Sequence, residues 1–279
     1  MSEALPPGLH IVATPIGNLG DLSPRAADTL KRVPVVAAED TRHSKPLLIH
    51  AGSRAELVSL HAHSSDRALE RVVRILVDGR DVALITDAGT PAISDQGVEL
   101  VAAARERGIP IVTIPGPTAV AASLSVSGIH GDRYLFLGFL PRKGSDRRRL
   151  LLTAASSEWT VVLFEAPNRV TQLLADLIDV CGPDRQAAVS RELTKVFEET
   201  RSGTLQELSE HYAEAPARGE VTLVVAGTGK EHVEERSPDP QERARNLLAE
   251  GLSRKDVANR LVEETGISRN TAYRLVNEL

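Results

Sequence analysis

The chain has 279 residues, of which 42% are apolar and 3% aromatic, and a formal net charge of −5. That length suits two domains with an appendage, and the charge argues against a protein that merely coats nucleic acid electrostatically. The single cysteine, Cys181, excludes an internal disulfide framework and a cysteine-built zinc site and fits a reducing compartment.

In chain order, "LHIVAT" (Leu9 to Thr14) reads as a strand. "SPRAADTLKRV" follows as a helix, because Ser23 before Pro24 makes an N-cap and a first-turn proline. Further strands are expected at Val33 to Ala38, Leu57 to Leu60, Val82 to Thr86 and Ile109 to Ile114. They are nearly continuous Val, Ile and Leu, the pattern of strands buried on both faces of a largely parallel sheet. Between them "DRALERVVRILVDG" and "QGVELVAAARERG" read as helices: Leu69, Val72, Val73 and Leu76 recur on one helical face, and Gly79 and Gly108 close the two segments.

A second α/β series starts near Tyr134, with strands "YLFLGFL", Thr160 to Glu165, Ala187 to Glu192 and Glu220 to Gly227. Its helices are "RVTQLLADLIDVCG" and "TLQELSEHYAEA". Composition then turns polar and breaker-rich, so a linker is expected at 231–240. The last segment, 241–279, has the spacing of a helix-turn-helix, with Val257, Ala258 and Leu261 inward on one helix, Gly266 at the turn, and Ile267, Ala272, Tyr273 and Val276 packing the next. It carries seven cations and six anions, so it can serve as a nucleic-acid reader or as a packing module. The domains are therefore expected at 1–127, 128–230 and 241–279.

Three loops leave the carboxyl ends of strands in the first series: "TPIGN", "DAGTPAISDQG" and "PGPTA". An open α/β sheet binds ligands at that edge. Each loop combines Gly, Pro and Thr, which brings bare backbone close to a ligand and sets its direction, although one such loop alone is more often a turn. Neither GxGxxG after the first strand nor GxxxxGK[ST] occurs. An aliphatic, backbone-lined slot suits a nucleoside with an uncharged or cationic tail.

Polar residues also end several buried strands. "AAEDTR" supplies Glu39 and Arg42, with Asp40 able to cap a following helix or pair with Arg42; "FEAPNR" supplies Glu165; "SRELTK" supplies Arg191, Glu192 and Lys195. Two such edges facing each other would make a cleft. "PRKGSDRRR" carries five cations against one anion and reads as a solvated loop or a local basic face. His61 and His63 lack a third ligand at suitable spacing, so no metal site is expected.

At "VATPIGNLGDLSPRA", "AAEDTRHSKPLL", "ITDAGTPAISD", "IPGPTA", "FLGFLPRKG", "RELTKVFEE" and "GEVTLVVAG", in that order, the sequence resembles the ribosomal RNA small subunit methyltransferase I family, within the tetrapyrrole-methylase fold class. Gln96 and the "EAPNR" form depart from the family's usual pattern. The resemblance implies two α/β domains of tetrapyrrole-methylase type, a cofactor cleft between them and a helix-turn-helix-like C-terminal extension. It implies S-adenosylmethionine as cofactor and 2′-O-methylation of cytidine 1402 in 16S rRNA, with the small ribosomal subunit as partner. Carried onto this chain, the cofactor loops fall on Pro15, Ile16 and Gly17, on Asp87, Gly89, Thr90, Pro91 and Ile93, and on Pro117, Thr118 and Ala119. Glu39, Arg42, Glu165, Arg191, Glu192 and Lys195 are the candidate catalytic groups, each equally readable as part of a salt-bridge network; Arg142, Lys143, Arg147, Arg148 and Arg149 are the candidate RNA contacts. No run approaches the roughly 20 apolar residues of a membrane helix, and the start shows no secretory leader, so a cytoplasmic protein, and by the resemblance a homodimer, is expected. A sibling methylase acting on a small tetrapyrrole, or a metabolite-sensing regulator that reads nucleic acid with its tail, stays open at this point.

Overall fold

The structure is a computed structural model that describes residues 7–60, 66–95, 97–229, 240–250, 252–265 and 269–279. Its first sheet has the strand order β3-β2-β4-β1-β5, with β1 at Leu9–Val12, β2 at Val35–Ala38, β3 at Glu56–Ser59, β4 at Val82–Ile85 and β5 at Ile111–Ile114. Every pairing is parallel. Side chains alternate across the sheet. Val35, Ala37, Val82 and Leu84 therefore meet Val72, Val73 and Leu76 of α3 (Asp66–Val77) and Leu100 and Ala104 of α4 (Val98–Glu106). Val36, Ala38, Ala83 and Ile85 meet Ala26 and Leu30 of α1 (Pro24–Arg32) and Leu47 and Leu48 of α2 (Thr41–His50) on the other face. Two buried faces are why the strands read as uninterrupted apolar runs.

The second sheet is mixed, in the order β6-β7-β10-β8-β9. β6 (Tyr134–Phe139) and β7 (Thr160–Glu165) pair parallel, whereas β10 (Val221–Val225) is antiparallel to both β7 and β8 (Gln186–Arg191). β9 (Glu199–Thr204) closes the edge as a hairpin with β8. Its sequence, ETRSGT, contains no apolar residue, so hydrophobic pattern could not reveal it. One face packs under α6 (Ser145–Ser156), α7 (Val170–Cys181) and α8 (Leu205–Glu214). The other is covered by α5 (Ala119–Ser127), whose Val120 meets Val162, Ala188 and Val224. α5 starts directly after the loop leaving β5, so the helix that follows the first sheet packs on the second and holds the two sheets across a cleft.

In the tail, α9 (Pro240–Ala249), α10 (Arg254–Thr265) and α11 (Arg269–Glu278) share a core of Ala244, Leu247, Val257, Ala258, Leu261, Ala272 and Val276. Tyr273, expected to pack, is exposed, and Leu275 packs instead. Gly266, Ile267 and most of the expected linker lie outside the described residues.

One polar group sits inside the first sheet. His10 on β1 is fully buried and neither ring nitrogen has a hydrogen-bond partner. Burial pulls its pKa down, against the pull of Asp81, whose Oδ1 lies 4.0 Å from Nε2, and with the help of Arg25. The unfolded chain therefore takes up this proton first as pH falls below about 6.5, and stability drops from there until the lower folded value is passed. His10→Leu is expected to flatten the fall in Tm between about pH 7 and about pH 5, measured against wild type by circular dichroism melts.

Candidate functional site

Two of the three strand-end loops on the first sheet are joined to each other. Thr14 N–H donates to Gly89 O at 2.8 Å and Gly89 N–H to Thr14 O at 3.2 Å, an isolated antiparallel bridge. The buried Thr14 hydroxyl adds bonds to the carbonyls of Thr86 (3.2 Å) and Gly89 (3.3 Å). Gly89 is held at φ 86°, and Ala92 (φ 67°) and Ser94 (φ 59°) in the same loop also have positive φ. Side-chain-bearing residues rarely adopt that region, and such strain collects where a backbone is shaped for a ligand.

These loops form one wall of a cavity of about 480 Å³. Ile16, Gly89, Thr90, Ile93, Thr118 and Ala119 face it from the first sheet; Phe139, Phe164, Glu165, Leu193 and Gly219 to Thr222 face it from the second. A second cavity of about 210 Å³ adjoins it and shares Ile16, Asp87, Ala88 and Glu220; Pro15, Gly17, His43, Ser44, Thr86 and Lys195 also line it. Gly17 is required there, because a Cβ would fall 2.6 Å from Lys195 Cγ.

The larger cavity is acidic. Glu39, Asp87 and Asp95 converge from β2 and the loop after β4, and Thr86 Oγ1 donates to Glu39 Oε2 at 3.3 Å. Burial, then the charges of Asp95 and Asp87, raise the Glu39 pKa; burial and Asp87 raise that of Asp95, against a bond to Thr86. Glu165, 1% exposed, accepts from Ala166 N–H (2.9 Å) and meets Arg169 Nε (3.2 Å) through Oε1, whereas its buried Oε2 has no partner. A buried unpaired carboxylate oxygen is costly, and this one lies in the wall of the cavity.

The other candidate catalytic groups are further from this space. Arg42 is exposed, its guanidinium held by Asp40 (Nε 3.1 Å, Nη2 2.7 Å), and Asp40 also caps α2 through Arg42 N–H (2.8 Å). That bonding holds the Asp40 carboxyl well below the usual carboxylate range. Arg191 lines neither cavity: its Nε binds Glu199 Oε2 at 2.6 Å and its Nη1 the Phe197 carbonyl at 3.2 Å, tying the β8–β9 hairpin. Glu192 Oε1 accepts from Lys195 Nζ (3.0 Å) and from Glu220 N–H (3.2 Å). Burial lowers the Lys195 pKa, but its bonds to Glu192 and Glu220 outweigh that and raise it. Lys195 is thus an ammonium at the rim of the smaller cavity. Pro15 and Gly17 face the smaller cavity rather than the larger, and Pro91 is buried behind the loop; the Pro117 carbonyl lies near Gly89.

Residues 8–209 match the family profile of tetrapyrrole (corrin/porphyrin) methylases. The fold resembles a cobalt precorrin-4 methyltransferase of cobalamin biosynthesis (TM-score 0.60, 19% identity, 78% of this chain and 94% of that one). It also resembles uroporphyrin-III C-methyltransferase from Thermus thermophilus complexed with S-adenosyl homocysteine (TM-score 0.58, 20% identity, 78% and 97%). A protein of Synechocystis sp. named ribosomal RNA small subunit methyltransferase I is 43% identical over 272 residues, covering 97% of this chain and 98% of the relative. One of the same name from Xylella fastidiosa is 44% identical over 96% and 98%, and one from Pseudomonas aeruginosa 43% identical over 95% of each. The chain belongs to the ribosomal RNA small subunit methyltransferase I family.

In this member of the ribosomal RNA small subunit methyltransferase I family, strand-end reasoning missed part of the site. β10 runs antiparallel to its neighbours, so its first residue, Val221, lies beside Glu165 and Arg191, the last residues of β7 and β8. The start of β10 thereby joins the carboxyl-end rim, and Gly219 to Thr222 line the cavity. His43 was also missed; its signal was helical spacing from the Asp40 cap, which places it one turn in, next to the loop after β4. Its Nδ1 lies 3.1 Å from Asp87 Oδ2. His61 and His63 lie outside the described residues.

The basic segment is not a flexible loop beyond Gly144. Ser145 begins α6, and Arg147 turns inward, its Nε 2.9 Å from Asp176 Oδ2 and its Nη1 3.0 Å from the Pro141 carbonyl. Arg142, Lys143, Arg148 and Arg149 stay exposed. Arg147 is therefore corrected from a candidate RNA contact to a buried structural cation. Arg147→Ala is expected to cost about 3 kcal/mol by stranding Asp176, while Arg148→Ala leaves stability unchanged, as read by urea unfolding.

Proposed function

We propose that this chain transfers a methyl group from S-adenosylmethionine to the 2′-hydroxyl of a cytidine ribose, cytidine 1402, in bacterial 16S rRNA. The observation that carries the reading is coverage. The tetrapyrrole-methylase profile ends at residue 209, whereas relatives named ribosomal RNA small subunit methyltransferase I align over 95–97% of the chain, taking in most of the helical tail. The ribose and the particular cytidine rest on the sequence motifs.

The larger cavity suits the cofactor. Its volume is in the range of small-molecule sites, and its lining sets apolar side chains such as Ile16, Ile93, Val120 and Leu193 beside carboxylates. Bound there, the cofactor supplies an electrophilic methyl on a sulfonium that leaves as a neutral thioether. Ile16, Gly89, Thr90, Ile93, Thr118 and Ala119 would hold it, and Glu39, Asp87 and Asp95 would face its positive charge. Phe139 lines this cavity and precedes Arg142 by three residues, within roughly 11 Å of chain, so exposed Arg142 and Lys143 are near enough to hold RNA phosphates, with exposed Arg148 and Arg149 on the following helix as further candidates. Among the described residues no helix is long and apolar enough to cross a membrane. The reading includes a cytoplasmic homodimer, for which the exposed apolar side chains of Val196 and Phe197 supply surface.

Incubation with methyl-labelled cofactor and undermethylated small subunits is expected to put label on one ribose 2′-oxygen. Label on a base, or none on RNA, overturns the reading.

Cofactor binding should depend on pH. Glu39 and Asp95 have raised pKa values, so they keep protons to a higher pH than ordinary carboxyls, and a protonated carboxyl does not attract a sulfonium. Calorimetry from about pH 8 to about pH 5 is expected to show affinity for S-adenosylmethionine falling with pH, and falling less for S-adenosylhomocysteine, which lacks the cation.

A further inference from the structure

We propose that His43, oriented by Asp87, is the general base for the acceptor hydroxyl, and that the smaller cavity is the subsite for the acceptor nucleotide; this rests on the methyl-transfer reading above.

Four observations support it. The two cavities share a wall of Ile16, Asp87, Ala88 and Glu220, so a group in the smaller one stands next to a molecule in the larger. The smaller cavity, about 210 Å³, suits a sugar rather than a second whole cofactor, and its lining is polar, with Thr14, Ser44, Thr86 and the Lys195 ammonium. Asp87 borders both cavities and is itself held, since Asp40 N–H donates to its Oδ1 at 3.4 Å while Oδ2 takes His43 Nδ1 at 3.1 Å. Lastly, the His43 side chain is 73% exposed on the rim, open to a macromolecular substrate.

With Nδ1–H donating to the carboxylate, Nε2 carries the lone pair, the tautomer a base requires. The hydroxyl oxygen forms the new C–O bond, the C–S bond breaks with its electron pair going to sulfur, and the hydroxyl proton passes to Nε2 and then to solvent. Asp87 stabilises the imidazolium that forms. The competing groups are less suited. Lys195 is an ammonium bound to Glu192 and Glu220 and has no free lone pair. Glu39 and Asp95 face the space assigned to the sulfonium, where a neighbouring cation makes a carboxylate a weaker base. The charged groups facing His43 are Asp40 and Arg42 on its own helix and cap, Asp87 from the loop after β4, and Lys195 and Glu220 across the cavity.

The test uses the full chain with undermethylated small subunits, comparing wild type with His43→Gln, which retains a hydrogen-bond donor toward Asp87. The expected result is a kcat lower by at least about a hundredfold, loss of the acidic limb of the kcat–pH profile measured at saturating cofactor, and a cofactor Kd within about twofold of wild type. A kcat within about threefold, or a retained acidic limb, overturns the assignment. Nitrogen NMR of the unloaded protein is the readout independent of turnover. His43 should show the Nδ1–H tautomer, and Asp87→Asn should weaken that preference; the opposite tautomer, or one unchanged in Asp87→Asn, refutes the pairing. If wild type itself labels no ribose, the functional reading falls and this inference with it; if only the His43 results fail, methyl transfer stands and the base lies elsewhere.

Discussion

Two backbone hydrogen bonds between Thr14 and Gly89 organise the cleft. They join the loop after β1 to the loop after β4, strands that are neighbours in the parallel sheet. Because the strands run the same way, both loops emerge on one edge, and the bridge turns two independent connections into one wall. Gly89 can hold φ 86° without a side-chain clash; Ala92 and Ser94 carry the rest of the curvature at a conformational cost that packing must offset. The carboxylates that face the cavity depend on that wall, since Asp87 and Asp95 both lie on the strained loop.

Electrostatics follow from the same geometry. Glu39, Asp87 and Asp95 are brought together from two adjacent strand ends, and desolvation with mutual repulsion makes the cleft a poor place for three negative charges. A cationic ligand relieves that. On the opposite rim the charges are already matched: Arg191 with Glu199, and Lys195 with Glu192 and Glu220. The cleft is thus acidic where the first sheet contributes and neutralised where the second does.

Much of the framework was legible because hydrophobic periodicity and turn chemistry are local. Strands buried on both faces wrote themselves as apolar runs, Ser23 and Pro24 marked the start of α1, and the three Gly-Pro-Thr loops marked the edge where the cavity lies. Most of the residues carried from the family motifs face a cavity, but Pro15 and Gly17 belong to the smaller one and Arg42 to an exposed pair. Polarity without apolar alternation concealed β9, and the run "PRKGSDRRR" concealed that one of its five cations turns inward toward Asp176.

By itself the sequence determined the α/β class, the parallel first sheet, the strand-end loops that line the cavities and, through ordered motifs, the family. Each is encoded in residues close together in the chain. Only the tertiary structure decided that α5 covers the second sheet, that antiparallel β10 brings its first residues to the rim, that Glu165 keeps an unpartnered oxygen, and that His43 meets Asp87. Those facts depend on strand direction and on side chains far apart in sequence, His43 and Asp87 by 44 residues and Val120 and Val224 by more, which no local pattern specifies.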